Sequence, residues 1–374
     1  MTEVDNYEIV RQKLQIGRIN APKNKKIFKL MKIFWNEEEI KILTQFNNVG
    51  SKISLKELHE RTGLSEEGIE KILRRPARNG TIIRIGSDYR LLPLVPGIFE
   101  MYFIRRKDSE ENLQKAAEIY RYIFKNRVVS SLGPDLDNVN NIRKTWRPLL
   151  PYDSEEKLIK VDESFDVETQ VLPYEVVKDM IDKNESFAVV PCQCRLIGEY
   201  TGEPCKQAPA EMGCFLTGER AERQIAYGAK RLSKEEAIEF IRETEKAGLV
   251  HATVADTSKE TSQWICNCCT CHCGNLLPAK LYHYLGVNQT NFSPEFDMEL
   301  CTKCEICMEK CPNEAIYHIW PNEPDSSDER MKVREEMCMG CGTCAVNCPN
   351  NAIKMLKVRD EYPERRSVNL FDWA

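Results

Sequence analysis

Two cysteine runs of identical spacing constrain this chain more than any other feature of its sequence. The first begins at Cys301 and the second at Cys338, and each reads C-x₂-C-x₂-C-x₃-C-P. The runs align without a gap, and equivalent cysteines lie 37 positions apart. The 374 residues include 17 cysteines, an odd number in a sequence with no secretory pattern, which argues against a disulfide framework. The cysteines therefore predict metal or redox chemistry.

The spacing within each run suits a polynuclear metal group. Gaps of two residues let a tight loop place successive thiolates on different metal atoms, with its backbone amides turned towards the group. Gly340 and Gly342 are expected to permit this close approach. Zinc sites typically show two separated C-x₂-C pairs instead. The pattern therefore favours iron–sulfur clusters over a pair of zinc knuckles.

The two runs resemble those of the bacterial ferredoxins that carry two [4Fe–4S] clusters. In that family the fourth cysteine of each run, the one before proline, binds the cluster of the other run. The resemblance implies a ferredoxin fold in which strands begin at Ala315 and Ala352. It also implies the ligand sets, which are Cys301, Cys304, Cys307 and Cys348 for the first cluster and Cys338, Cys341, Cys344 and Cys311 for the second.

The remaining nine cysteines form a less familiar pattern, PCQCR followed by two single cysteines and then CNCCTCHC. They are Cys192, Cys194, Cys205, Cys214, Cys266, Cys268, Cys269, Cys271 and Cys273. The pattern resembles the cysteine-rich domain of ferredoxin-like dicluster proteins of anaerobic bacteria and archaea, over residues 165–360. The adjacent pair Cys268 and Cys269 is also similar to that of heterodisulfide-reductase-like proteins, whose adjacent cysteines serve non-cubane clusters.

Three interpretations of these nine cysteines stay open on the sequence. One or two further iron–sulfur clusters would use most of them, a zinc site would leave five free thiols, and redox-active thiols need no metal. His251 and His272 are further candidate ligands, whereas His318 is expected to be structural. Arg195 is expected either to donate to a cluster's sulfides or to form a surface salt bridge.

The N-terminal part predicts three helices followed by a β-hairpin, an order that resembles a winged-helix domain over residues 35–95. Helices are expected after Asn36, Ser54 and Ser65, with Pro76 ending the third helix early. The hairpin is expected around Gly86. Residues 1–100 carry 18 Lys and Arg against 13 Asp and Glu, within a chain of net charge −5. This mild basic excess does not by itself predict nucleic-acid binding.

The complete chain is predicted to be a multidomain α+β protein. Helices are expected over residues 110–125, 174–182 and 234–247, and strands over 186–194 and 249–254. An exposed loop is expected from Pro321. The predicted domains are a winged-helix-like domain at 1–95, a mixed α/β cysteine-rich domain at 96–285, a ferredoxin domain at 286–360 and a tail at 361–374.

These observations favour an electron-transfer function. The sequence lacks the G-x-G-x-x-G, phosphate-loop and G-x-S-x-G motifs of nucleotide-binding and hydrolytic enzymes. We expect a cytoplasmic, non-catalytic subunit of an anaerobic oxidoreductase complex, with protein redox partners and no membrane span of its own. Two alternatives stay open. One is a redox-sensing regulator that binds DNA through the winged helix. The other is a reductase that acts on a small-molecule substrate and has an unusual iron–sulfur cluster as its active site.

Overall fold

The computed structural model describes residues 5–15, 21–126, 146–154, 159–160, 175–254, 264–283, 287–320 and 329–359. Contacts among these residues divide the chain into two compact units. The first contains the described residues up to Asn126 together with Leu196–Pro204, and the second contains the others. The three domains predicted from the sequence, with boundaries after residues 95 and 285, stay a prediction.

The described residues of the first unit include seven complete α-helices, a π-helical turn at Leu94–Ile98 and a small sheet. The helices are α1 (Asn6–Lys13), α2 (Lys25–Phe34), α3 (Glu37–Leu43), α4 (Leu55–Thr62), α5 (Glu66–Asn79), α6 (Phe99–Arg105) and α7 (Glu110–Lys125). The strands are β1 (Ile53–Ser54), β2 (Ile82–Ile85) and β3 (Asp88–Leu91), which form an antiparallel sheet in the order β1-β3-β2. The expected helices and hairpin are therefore present, while the winged-helix assignment itself stays a prediction.

Local capping explains where these helices begin. The Asn36 and Ser54 side chains each accept from the backbone amide three residues on, and the glutamate at that position bonds back to the cap. Pro76 does not end α5, which continues to Asn79, so that expectation was wrong. Proline removes one hydrogen bond late in the helix, and burial of Ile69 and Leu73 holds the remainder in place.

The second unit is organised around a six-stranded antiparallel sheet in the order β4-β9-β10-β7-β6-β8. Its strands are β4 (Trp146–Pro148), β6 (Phe187–Val190), β7 (Cys214–Thr217), β8 (Lys230–Leu232), β9 (Val250–Val254) and β10 (Trp264–Cys268). Helices α8 (Val177–Asp182) and α11 (Lys234–Lys246) cover one face through a core that includes Met180, Phe215 and Ile241. Helix α8 is shorter at its start than the sequence predicted.

Two shorter helices connect strands of this sheet, and a third follows it. They are α9 (Gln193–Tyr200), α10 (Gly218–Ala226) and α12 (Leu276–Leu281). The strand expected to run to Cys192 and Cys194 is shorter than predicted: β6 ends at Val190, Cys192 lies two residues beyond it, and Cys194 lies in the first turn of α9. Helix α11 has the expected Ser233 capping box and Gly248 lies just beyond its end with a left-handed backbone.

The C-terminal part of the second unit contains the two cysteine runs. Strands β11 (Phe292–Phe296), β14 (Ile353–Lys357) and β5 (Ile159–Lys160) form one sheet, and β12 (Ile316–Ile319) pairs with β13 (Arg330–Val333). The short helices α13 (Ile306–Lys310) and α14 (Thr343–Val346) lie within the runs. The strands expected after each run are present, whereas most of the loop expected from Pro321 lies outside the described residues.

No helix in the described ranges combines the length and the apolar character needed to cross a bilayer.

Candidate metal centres

The two cysteine runs share one backbone conformation. Left-handed φ angles occur at equivalent positions 37 residues apart, at Lys303 (56°) and Gly340 (68°), Glu305 (60°) and Gly342 (72°), and Glu314 (53°) and Asn351 (52°). Such angles are uncommon for residues with a side chain, so three matching pairs do not arise from local preference alone. The sequence repeat is therefore also a structural repeat.

Backbone amides donate to the cysteine sulfurs in the same places of both runs. The amide of Ala315 donates to Sγ of Cys311 at 3.2 Å, and that of Ala352 donates to Sγ of Cys348 at 3.3 Å. The amide of Gly340 also donates to Cys338, at 3.4 Å. Bonds of this kind stabilise thiolates and tune the metal groups that they bind.

The eight thiols of the runs line two separate cavities. One is lined by Cys301, Cys304, Cys307 and Cys348, and the other by Cys311, Cys338, Cys341 and Cys344. Each cavity thus combines three cysteines of one run with the fourth of the other. Apolar side chains such as Ile316 and Ile353 line part of the remainder, and the first cavity is also lined by Thr302, Lys303, Glu305 and Asn350. Four thiols around one cavity fit a [4Fe–4S] cluster, and the ligand assignment stays a prediction.

The two cysteine quartets differ in exposure at one equivalent pair. Cys304 is exposed and its counterpart Cys341 is half-buried, whereas Cys307 and Cys344 are both buried. Burial, with smaller contributions from neighbouring thiols, raises the pKa of Cys307 to about 11 and that of Cys338 to about 12. Buried thiols of this kind become good ligands when a metal replaces their protons.

Gly340 and Gly342 pack closely against other residues of the protein, a role that the sequence analysis did not predict. A Cβ on Gly340 would lie 2.1 Å from Oγ1 of Thr290, and one on Gly342 would lie 2.7 Å from Cδ of Pro151. Lys303 and Glu305 adopt the same backbone in the first run with full side chains. The second loop thus requires glycine at both positions because it packs against Thr290 and Pro151.

The nine middle cysteines fall into two groups. Six form what we call the six-thiol chain, in which each thiol neighbours the next in the order Cys192, Cys194, Cys273, Cys268, Cys266 and Cys214. The last pair of sulfurs lies 3.9 Å apart. Their residues come from three places: the segment that links β6 to α9 together with the first turn of α9, the start of β7, and β10 with the loop after it.

Donors and acceptors alternate along the six-thiol chain. Hydrogen bonds from neighbouring thiols lower the pKa of Cys192, Cys266 and Cys273, that of Cys266 to about 5. The same bonds, together with burial, raise the pKa of the donors, which are Cys194, Cys214 and Cys268. The chain therefore concentrates thiolate character in a buried place, as a metal group requires.

The other three cysteines form a compact cluster with a histidine, which we call the Cys₃His cluster. It contains Cys205, Cys269, Cys271 and His272. Their ligand atoms all lie within 4.8 Å of one another, with Sγ of Cys205 3.3 Å from Sγ of Cys271. Nδ1 of His272 lies 3.1 Å from Sγ of Cys271. Of the two candidate histidines, His272 is therefore the one placed among thiols.

The division of CNCCTCHC between the groups follows from strand geometry. Side chains two apart on a strand share a face, so Cys266 and Cys268 at the end of β10 point the same way. Cys269 and Cys271 belong to the Cys₃His cluster, whereas Cys273 belongs to the six-thiol chain. The sequence analysis missed this partition, although the alternate spacing around the adjacent pair was a signal for it.

Arg195 is buried between the two groups, so the expected alternative of a surface salt bridge was wrong. Its guanidinium is fully buried and donates to the carbonyls of Pro209 at 3.0 Å and Asn267 at 3.0 Å, and also to that of Met212. Burial by itself would lower the pKa of Arg195, but the thiols of Cys192, Cys269 and Cys205 raise it above its usual value. One buried positive charge therefore faces both thiol groups.

His251 supports the site without joining it. Its Nδ1 lies 2.7 Å from Oδ1 of Asn267 and its Nε2 lies 3.2 Å from Oε1 of Glu245. Asn267, between Cys266 and Cys268, donates in turn to the carbonyl of Gly213 at 2.8 Å. His318 lies between the carboxylates of Glu305 and Glu329, as expected of a structural residue. The side chains of His251 and Asn267 thus fix the strand that carries the middle cysteines.

Comparison with known proteins adds one family. Residues 300–352 match the model of the 4Fe-4S dicluster domain family. No curated protein matches the chain. The match covers both cysteine runs. Residues 300–352 therefore form a ferredoxin-like iron–sulfur domain.

Proposed function

We propose that this protein is a cytoplasmic electron-relay subunit of a larger anaerobic oxidoreductase complex. The observation that carries the proposal is the pairing of a 4Fe-4S dicluster domain with a second thiol-rich centre in the same compact unit. Iron–sulfur clusters exchange single electrons, and the cofactor supplies that chemistry. The protein's own contribution is to position the clusters and to exclude water from them.

The six-thiol chain is the proposed site of a further iron–sulfur cluster. Its thiols are buried or partly buried, and the lowered pKa of Cys192, Cys266 and Cys273 favours deprotonated ligands there. Arg195 offsets the negative charge that such a cluster brings into the interior. Six thiols exceed the four that a cubane uses, so the cluster type is left to measurement.

Contacts within the second unit support a route between the middle centre and the dicluster domain. The side chain of Lys310, next to Cys311, packs over Gly248. Nε2 of Gln207, two residues after Cys205, donates to the Gly248 carbonyl at 2.7 Å. These contacts join the loop of Cys205 to the helix that precedes Cys311. Short, packed connections of this kind favour electron transfer between neighbouring centres.

The surface beside Cys304 is the proposed docking site for a protein redox partner. Trp320 is 68% exposed and Leu300 is 52% exposed. The Trp320 ring lies 4.1 Å from the His318 ring, whose imidazole contacts Glu305, the residue after Cys304. Exposed apolar side chains beside an exposed cluster ligand suit transient contact with another protein.

Helix α5 offers limited support for the DNA-binding alternative. Arg75 is engaged with Glu39 and lies 3.7 Å from Asp108, and Arg84 is paired with Glu70. Acidic residues, Glu66 and Glu67, occupy the first turn of α5. Carboxylates at the start of a recognition helix oppose DNA phosphates. A salt-sensitive mobility shift on genomic DNA would favour this alternative over electron relay.

A matched pair of cysteine variants tests the dicluster assignment. In protein purified without oxygen, Cys304→Ser and Cys341→Ser should each remove about four of the roughly eight irons that two cubanes contribute. Electron paramagnetic resonance of the reduced variants should show loss of a different cluster signal in each. If both variants keep the full iron and sulfide content, the ligand assignment is wrong.

The relay function has its own test. The purified protein should accept electrons from a low-potential chemical donor and pass them to a ferredoxin-type acceptor, without converting a small molecule by itself. Trp320→Ala should slow transfer to a protein acceptor and leave transfer to a small viologen dye unchanged. Turnover of a small-molecule substrate by the isolated chain would instead support the reductase alternative.

A further inference from the structure

We propose that Cys205, Cys269, Cys271 and His272 bind a single zinc ion in a closed tetrahedral site. The proposal goes beyond electron transfer, because zinc is redox-inert and a four-ligand site has no open position. It assigns the Cys₃His cluster a different metal from the iron that the other cysteines are proposed to bind. The inference rests on atomic separations, burial and charge.

The separations suit one ion. Thiolates on zinc have bonds of about 2.3 Å, so two sulfurs on one tetrahedral ion lie about 3.8 Å apart and never more than about 4.6 Å. The Sγ atoms of Cys205 and Cys271 are 3.3 Å apart, and all four ligand atoms lie within 4.8 Å. Small outward movements of the side chains would therefore give zinc geometry.

The same separations do not suit a cubane, whose thiolates bind four different irons and stand apart around the cluster. Among the described histidine, cysteine, aspartate and glutamate side chains, no other group of three or more has its ligand atoms within 4.8 Å of one another. The two quartets of the dicluster domain, which match an iron–sulfur family, are thus more widely spaced. One chain therefore contains two kinds of thiol site with different spacing.

Charge balance also favours a divalent ion at this position. Three thiolates, a neutral imidazole and Zn²⁺ together carry one negative charge. Arg195 lies beside Cys205 and Cys269 and is held there by backbone carbonyls, which gives the positive charge that balances it. The site is also shielded, because Cys269 and His272 are buried and Cys269 packs with Ala208 and Leu249.

The proposed ion would fasten two loops that flank the six-thiol chain. Cys205 lies in the loop between α9 and β7, while Cys269, Cys271 and His272 lie in the loop after β10. The same two loops lead to Cys214 and Cys273 of the six-thiol chain. A structural zinc ion here would hold the ligands of the neighbouring centre in register.

X-ray absorption at the zinc edge, with zinc and iron analysis, tests the proposal on full-length protein. The protein is produced with both metals supplied and purified without oxygen. We expect one zinc per chain with three sulfurs at about 2.3 Å and one nitrogen at about 2.0 Å. His272→Cys should keep the zinc and change its shell to four sulfurs. Cys205→Ser should lose the zinc while the two dicluster signals remain.

Two controls separate this site from its surroundings. Cys214→Ser, in the six-thiol chain, should keep one zinc with the same shell. His251→Gln should do the same, because His251 contacts Asn267 and Glu245 and no cysteine of the cluster. If Cys205→Ser does not fold, the wild-type shell and His272→Cys still decide the matter.

Several results would overturn the proposal. They are protein without zinc when zinc was supplied, a wild-type shell of four sulfurs, or loss of iron in place of zinc from Cys205→Ser. The relay function is tested independently by the dicluster signals and electron transfer to an acceptor. Protein that fails the zinc test but keeps its dicluster signals would therefore overturn the zinc site and leave the relay function unaffected.

Discussion

The dicluster domain and the middle thiol centre solve the same problem, the burial of many thiols, in different ways. In the dicluster domain, two short loops repeat one conformation, and backbone amides donate to the cysteine sulfurs at equivalent places. In the middle centre, ligands come from separate strands and loops, and a buried arginine and a histidine–asparagine pair support them. The dicluster site therefore depends mainly on the backbone conformation of two short loops, whereas the middle centre depends on tertiary contacts between separate strands and loops.

The largest expected effect tests how local the dicluster domain is. Gly340→Ala places a Cβ 2.1 Å from Oγ1 of Thr290 and 2.3 Å from the Phe292 carbonyl, at a left-handed φ. Overpacking and backbone strain together should lower the free energy of unfolding by about 4 kcal/mol. Chemical denaturation followed by circular dichroism measures this change, and iron analysis should show loss of the second cluster.

Lys303→Ala is the matched control, because Lys303 has the same backbone angle at the equivalent place of the first run. It should change stability by less than about 1 kcal/mol, since an alanine there adds no atom. Equal effects of the two substitutions would mean that the contacts with Thr290 and Phe292 do not require a glycine at position 340.

The next effect tests whether the middle centre depends on its buried cation. Arg195→Met leaves the carbonyls of Pro209, Asn267 and Met212 without their donor and removes the charge between the thiol groups. We expect a loss of about 3 kcal/mol in the free energy of unfolding. Metal analysis should show depletion of the middle centre, while the dicluster resonance signals persist.

Arg195→Lys is the useful companion variant. It keeps the charge and supplies fewer donors in a less suitable shape, so its effect should be intermediate. A methionine variant with unchanged stability and full metal content would show that the thiol groups do not need this charge.

These contrasts explain which features could be predicted from the sequence. The dicluster site was foreseeable because its ligands lie in short, regular spacings whose meaning does not depend on distant residues. The helices that begin at Asn36, Ser54 and Ser233 were foreseeable for the same reason, since capping is local. Pro76 was misjudged because packing of an apolar helix face outweighed a local rule.

The middle centre was only partly foreseeable. Its nine cysteines were identified, and the alternate spacing around Cys268 and Cys269 was a signal for part of their division. Which of these cysteines lie near Cys214 depends on the pairing of β10 with β7, which their spacing does not encode. The burial of Arg195 likewise depends on carbonyls from two other segments, those of Pro209 and Met212 in one loop and that of Asn267, which is 72 residues away. Tertiary pairing, which a single sequence does not state, decides both.

A smaller effect is expected at the histidine that supports β10. His251→Leu removes the partner of the Asn267 amide oxygen, and both residues are buried. Oε1 of the buried Glu245 also loses its contact with His251 but still accepts from the Tyr152 amide at 2.7 Å. The loss of these contacts should cost about 2 kcal/mol of unfolding free energy. Thermal and denaturant unfolding measure the loss. His59→Leu, at an exposed histidine, should stay within about 0.5 kcal/mol, and a similar cost at both positions would contradict the supporting role.

The smallest expected effect has the opposite sign and sharpens the comparison of the two runs. Lys303→Gly relieves a left-handed conformation, which gains about 1 kcal/mol, and loses the 2.7 Å contact of Lys303 with Glu329, which costs about 0.5 kcal/mol. The net gain of about 0.5 kcal/mol should appear as a higher denaturation midpoint with an unchanged slope and iron content. Asn351→Gly should gain less, because asparagine tolerates this conformation better than lysine. A loss of stability in Lys303→Gly would mean that the first loop needs its lysine as much as the second needs its glycine.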